Sequence, residues 1–295
     1  MYHLDCCCFG EVLFDVLPER QVVGGASLNV AVWLHRLGNA VGMISRVGED
    51  DLGKELIKFI EKQGLTTTLI GTDSQLATST VKVALDDKGI ATYVIEKPVA
   101  WDAIPHSDAL QTAVANAKVF VYNSLTVRSK ASRETLFKLL SSKAYKVLDV
   151  NLRPPHYEKS LLIALMQAAD FIKFNDDEIR EVVGYFQKDV RDLKQAVQVI
   201  STKTHTPTIC VTLGGDGVLF FQDGGFYSFG GFKVTVKDTV GAGDSFLAAL
   251  ISSLQKNTPV EASLRFACAL GASVASKEGA LPDIDLNAVA QLAAC

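Results

Sequence analysis

No run of five or more basic residues occurs in the 295-residue chain, and its 33 acidic side chains outnumber 29 basic ones, for a formal net charge of -4. Phosphodiester backbones and anionic membranes are recognised through dense positive charge, so neither is an expected partner. No apolar run has membrane-spanning length. The opening "MYHLDCCCFGE" has no Lys or Arg before its apolar part and carries Asp5 inside it. A secretory leader is therefore not expected, and a cytoplasmic location is. No CxxC pair is present: three cysteines are adjacent (Cys6, Cys7, Cys8), and Cys210, Cys268 and Cys295 are scattered. That pattern disfavours a metal knuckle and a disulfide framework, and fits a buried first strand filled with small reduced thiols. The first strand-to-helix turn, "FGEVLF", holds a single glycine, which disfavours a nicotinamide-dependent oxidoreductase.

What the chain does have is 48% hydrophobic residues, enough for a large core. Strand-length apolar runs ("YHLDCCCF", "AVGMIS", "KVFVYN", "YKVLDVN", "DFIKFN", "TICVTL") alternate with helical periodicity. Helices are predicted over Leu28–Leu37, Leu52–Gln63, Ser129–Leu140, Leu161–Ala169 and Asp176–Phe186, two of them stopped by Gly38 and Gly64. The alternation implies an α/β fold with a mostly parallel sheet covered by helices on both sides. Two stretches break the rhythm. "STVKVALDDKGIATYVIE" reads as a hairpin, and "EVLFDVLPE" as a short strand pair. Residues 11–25 and 76–101 are expected to form a small β-sheet lid on one domain spanning residues 1–295. Open edges and an apolar face on such a lid suit a homodimer.

Two phosphate-loop look-alikes fail. "GEDDLGKE" has P-loop spacing, but Glu49, Asp50 and Asp51 would repel a triphosphate and Glu55 replaces the magnesium-binding hydroxyl. "GAGDSF" ends its glycine pattern at Phe246. Taken by itself, Gly241–Ala242–Gly243 leads into the helical stretch "DSFLAALISSL", and converging amides at a helix start suit a developing phosphoryl charge. Asp244 in that first turn is open to two readings, a reactive carboxylate or a plain helix-dipole partner. A second glycine-rich segment, "GGASLNVAVWLHRLG", enters a helix with Asn29 near its start.

Together these two segments resemble the ribokinase-like, or PfkB, family of carbohydrate kinases, with fructokinases most similar. The resemblance runs nearly end to end through "SRVGEDDLGKEL", "DVNLRPPHY", "FIKFNDDEI", "VTLGGDGVLFF", "VKDTVGAGDSF" and "FACALGASVASKEGA". It implies a three-layer α/β sandwich with a small lid, and phosphoryl transfer from ATP to a sugar hydroxyl. Asp244 matches the catalytic base, Gly241, Ala242 and Gly243 the anion hole, and Arg153 an arginine that reaches the γ-phosphate or the substrate. Asn175 and Glu178 match a motif that organises Mg2+ and its waters. Asp238 matches the start of a loop that binds K+ in some relatives. Asp15, Gly25 and Asn29 match positions that hold sugar hydroxyls, although Asp15 also suits an exposed strand edge. Thr212, Gly214 and Gly217 match the loop beneath the ATP phosphates and ribose. Cys268, Gly271 and Ala272 match the helix flanking adenine, with Cys268 where many relatives carry Asn. Ser27 stands where the family usually has Pro, Ala or Gly. Asp149 is expected to serve structure.

The competing substrate within the family is 2-keto-3-deoxygluconate, whose carboxylate would call for an arginine fork. No Arg lies between Arg46 and Arg128, and Glu96 stands beside Lys97. A neutral hexose, foremost fructose, is therefore expected, with Glu96 and Trp101 at the lid end and Trp101 as an apolar wall. A silent binding relative is the remaining alternative, and retention of Asp244, Arg153, Asn175 and Glu178 speaks against it.

Overall fold

The computed structural model describes residues 4–16, 20–85 and 91–294. They divide into two compact units, one of residues 1–120 and 126–144, the other of residues 121–125 and 145–295.

In the first unit, β1 (Cys6–Phe9) is followed by β2 (Leu13–Val16), β3 (Gln21–Gly24), α1 (Ala26–Arg36), β4 (Val41–Gly48), α2 (Asp51–Lys62), β5 (Ile70–Asp73), β6 (Ser79–Leu85), β7 (Ala91–Ile95) and α3 (Asp108–Ala115). Then come β8 (Val119–Asn123), at the boundary, and α4 (Lys130–Leu139). β1 pairs with β4, and β4 with β5, all parallel. Cys6, Cys7, Cys8 and Phe9 are wholly buried, as a strand covered on both faces requires. Desolvation, reinforced by the neighbouring Cys6, pushes the Cys7 thiol up to about 12. Glycine-terminated α1 and α2 lie where the periodicity places them, shifted by one or two residues. Asp50 caps α2, accepting from Gly53 N at 2.7 Å, and ties it to Thr78 through N at 2.8 Å and Oγ1 at 2.7 Å.

A separate four-stranded sheet has the order β3-β2-β6-β7. β6 and β7 form the predicted hairpin, whose "DDKG" turn falls outside the described residues. The pair expected within Glu11–Glu19 is different: among the described residues of that stretch only β2 is a strand, and its antiparallel partner is β3, beyond residue 20.

The second unit runs β9 (Tyr145–Asp149), α5 (Lys159–Gln167), β10 (Phe171–Asn175), α6 (Asp176–Val183), α7 (Leu193–Thr204), β11 (Thr208–Thr212), β12 (Val218–Gln222), β13 (Gly225–Phe229), α8 (Ala242–Gln255), α9 (Val260–Ala275) and α10 (Leu286–Ala294). β9, β10 and β11 are parallel neighbours, and β12 and β13 extend them antiparallel. Within this unit the strand order is β13-β12-β11-β10-β9. α6 stops at Val183, three residues before the predicted end, because Gly184 follows. Among the described residues no helix is long and apolar enough to cross a membrane.

Candidate active site

Gly241 is the N-cap of α8 with φ 77°, in the left-handed region where a Cβ is strained. A side chain there would also bring its Cβ within 2.5 Å of Ala280 Cα. The chain can turn into α8 at this point only because residue 241 is bare. The turn is held from below by Asp238, whose Oδ1 accepts from Val240 N at 3.0 Å and whose Oδ2 accepts from Gly279 N at 2.9 Å. The three small residues do not contribute equally. Ala242 N donates to Thr239 O at 3.2 Å, so its N–H is already engaged, whereas Gly243 N sits in the first turn, where helical geometry supplies no acceptor. Asp244, half-buried, follows in the same turn.

A buried cation lies beneath this turn that the motifs do not name. Lys173, on β10, is 7% exposed and places Nζ 2.9 Å from Asp149 Oδ1. A Cβ built on Gly243 would lie 3.5 Å from that Nζ. Burial works against the ammonium, but Asp149, Glu178 and Asp244 outweigh it and hold the Lys173 pKa above the usual lysine range. The expected structural role of Asp149 is thus an ion pair under the α8 terminus. A lone Lys inside "FIKFN" was the sequence signal for this cation, since an unpaired charge in a buried strand is costly.

Asn175 and Glu178 form a reciprocal cap on α6: Glu178 N donates to Asn175 Oδ1, and Asn175 N to Glu178 Oε2, each at 2.8 Å. Glu178 Oε1 also accepts from Leu152 N at 2.9 Å. Burial raises the Glu178 pKa, while Lys173 opposes that shift. Among the described residues no three metal-ligating side chains converge. The donor set therefore fits Mg2+ only as an ion carried on phosphates and held through water, the usual manner for this cation. Arg153 is exposed on the loop after β9, with Nη1 donating to Leu152 O at 2.9 Å.

Thr212 ends β11 and donates Oγ1 to Phe174 O at 3.3 Å. Gly214 and Gly217 follow with φ of 56° and 93°, and Leu213 N closes the loop onto Gly217 O at 2.8 Å. On α9, Cys268 is buried and Ala272 half-buried. Gly271 faces α8 rather than a cleft: its Cβ would sit 3.2 Å from Ala242 O, so its bareness lets the two helices approach.

The sugar-side candidates all lie in the first unit. The Asp15 carboxylate, on β2, occupies the space above Gly24, where a Cβ would fall 2.4 Å from Oδ2. Gly25 caps α1 with φ 110°, and Asn29 N donates to Gly25 O at 2.9 Å. Glu11, absent from the predicted set, is buried and accepts from Ser27 N (3.2 Å) and Thr126 Oγ1 (3.2 Å). Ser27 Oγ lies 3.1 Å from Glu11 Oε2, which gives the serine at this family position a partner.

Two expectations for the lid end need correction. Trp101 is fully buried and forms no wall; its ring instead carries the Arg128 guanidinium, 4.1 Å from the centroid. Arg128, although distant in sequence, reaches the lid end and donates Nη2 to Glu96 O at 2.5 Å. The absence of arginine between 46 and 128 is thus not an absence in space. Asp102 takes the Arg128 Nε and Nη2, at 2.8 Å and 2.9 Å, and Nη1 is left buried without a hydrogen-bond partner among the described residues, so the side chain presents no exposed fork. The Glu96 carboxylate pairs with Lys82 at 2.8 Å.

The pfkB family carbohydrate kinase profile matches residues 4–286. A fructokinase of Salmonella typhimurium is 30% identical over 94% of this chain and 96% of its own. A probable fructokinase-3 of Arabidopsis thaliana is 29% identical over 96% and 90%. A crystal structure of a fructokinase from Xylella fastidiosa with bound ATP superposes with a TM-score of 0.85 at 25% identity, covering 97% of each chain. With its helix-end cradle, its paired sheets and this end-to-end match, the chain belongs to the pfkB family of carbohydrate kinases.

Proposed function

We propose that the protein transfers the γ-phosphoryl group of ATP to a hydroxyl of fructose. The observation that carries the reading is the first turn of α8, where the bare Gly243, the Asp244 carboxylate and the buried Lys173 ammonium come together. The incoming hydroxyl oxygen bonds to the γ-phosphorus, the bond to the β-phosphate bridging oxygen breaks, and ADP leaves. Asp244 takes the hydroxyl proton. Gly241 and Gly243 let the backbone approach the transferring group, and the helix end and Lys173 supply positive charge where it gathers. Arg153 meets the γ-phosphate, and the loop from Thr212 to Gly217 passes beneath the nucleotide. Mg2+, when bound, neutralises phosphate charge, and Asn175 and Glu178 orient its waters. Asp238 holds the turn, and K+ beside it is a reading to be tested by exchanging K+ for Na+ in the assay.

On the sugar side Asp15, Gly25 and Asn29 receive hydroxyls, and the four-stranded sheet acts as a lid that also supplies a homodimer contact. The engaged Arg128 fork supports a neutral sugar over an acid. A cytosolic location fits free, buried cysteines. The test is an ATP-coupled assay over fructose, ribose, adenosine and 2-keto-3-deoxygluconate, run with Asp244→Ala. Fructose should turn over fastest, and the variant should lose about two to four orders of magnitude in kcat. Turnover of the acid alone would replace the substrate, and an active Asp244→Ala would remove the base.

A further inference from the structure

Arg153 is carried on an exposed loop, yet a phosphate-contacting arginine must be held in place before substrate arrives. Two carboxylates on one helix fix that loop at both ends. On its N-terminal side Leu152 N donates to Glu178 Oε1 at 2.9 Å. On its C-terminal side Tyr157 OH donates to Glu181 Oε1 at 2.7 Å. Glu178 and Glu181 both lie on α6, three residues apart, so their side chains share one face. Between the two anchors His156 N donates to Arg153 O at 2.7 Å, closing a turn around the arginine. Tyr185, just beyond α6, donates its hydroxyl to the same Glu181 oxygen at 2.5 Å, and Lys159 Nζ lies 5.3 Å from the centre of its ring. Burial and the Glu181 carboxylate push the Tyr157 phenol up to about 12, so it remains a proton donor at neutral pH.

We propose that Glu181 and Tyr157 are positioning residues, which with Glu178 clamp the loop to α6 and aim Arg153 at the transferring phosphoryl group. The proposal rests on the phosphate role of Arg153 given above. Neither residue touches substrate, so each acts only through the arginine.

Steady-state kinetics on Tyr157→Phe, Arg153→Ala and the double variant provide the test, with amide exchange of Arg153 and His156 measured alongside, since Pro154 and Pro155 carry no N–H. Tyr157→Phe removes one hydroxyl and keeps the ring, so kcat/KM should fall about three- to tenfold, the usual effect of one hydrogen bond. Amide exchange should quicken in the loop, and the denaturation midpoint should hold. In the Arg153→Ala background the same substitution should cost nothing, since residues that act through one another are not additive. Glu181→Gln, which keeps an accepting oxygen, should retain more activity than Glu181→Ala. If Arg153→Ala is costly while Tyr157→Phe is silent, or the two losses simply multiply, the clamp is refuted and the arginine's role stands. A fully active Arg153→Ala would instead remove the arginine's role, and the clamp's function with it.

Discussion

Gly243→Ala separates the two jobs that the first turn of α8 has to perform. Residue 243 is helical, and a Cβ there would meet Lys173 Nζ at 3.5 Å, an ordinary contact. Replacing glycine by alanine inside a helix should stabilise the fold by about 0.5–1 kcal/mol. With the phosphoryl group bound at this turn as proposed, the added methyl would hold it away from the backbone. A displacement of about 1 Å at a reacting centre can cost about a hundredfold in rate, so kcat should fall about ten- to a hundredfold while the guanidinium midpoint rises or holds. Gly241→Ala is the counterpart. At φ 77° an alanine costs about 1–2 kcal/mol, and its Cβ would come within 2.5 Å of the Ala280 backbone. Stability should therefore fall together with activity. Chemical denaturation and a coupled ATPase assay on the two variants give four numbers. A Gly243→Ala enzyme that is both stable and fully active would refute the placement of the phosphoryl group at this turn.

Asp15→Ala should raise the KM for the sugar far more than the KM for ATP; equal shifts would remove the sugar contact. Burial works to raise the Asp50 carboxyl, but hydrogen bonds from Thr78 and Gly53 outweigh it and hold it below the usual range. A depressed acid stabilises the fold above its unfolded value of about 3.9 and loses that contribution as pH falls through the folded value. In urea titrations repeated across pH, Thr78→Val should accordingly show a shallower loss of stability below about pH 4 than the parent protein. An unchanged acid limb would show that Thr78 does not set this carboxylate.

Much of this site could be read along the chain because it is local. Gly241, Gly243 and Asp244 share one turn, and Asn175 and Glu178 cap one helix, so the motifs that carry the family resemblance fall on residues close together in the chain. Lys173 was harder to see, since the carboxylate that explains it, Asp149, lies on a neighbouring strand. Arg128 escaped for the same reason. Its partners Glu96, Trp101 and Asp102 form a cluster only once the chain has folded, and that cluster withdrew Trp101 from the sugar site. The pairing of β2 with β3 rather than within residues 11–19 was likewise decided by tertiary register, not by the alternation of side chains.

The row of three thiols in β1 has a consequence for how the molecule must be handled. In the finished protein the sheet acts as a protecting group: Cys6, Cys7 and Cys8 are fully covered, and burial keeps Cys7 and Cys8 protonated and poorly nucleophilic. That protection exists only after the strand has docked. A nascent or denatured chain presents three adjacent thiols to any oxidant, and a single bridge there would bar entry of β1 to the position beside β4. Renaturation in air should therefore fail where renaturation with a reductant succeeds, whereas in the folded protein these three thiols should resist an alkylating reagent.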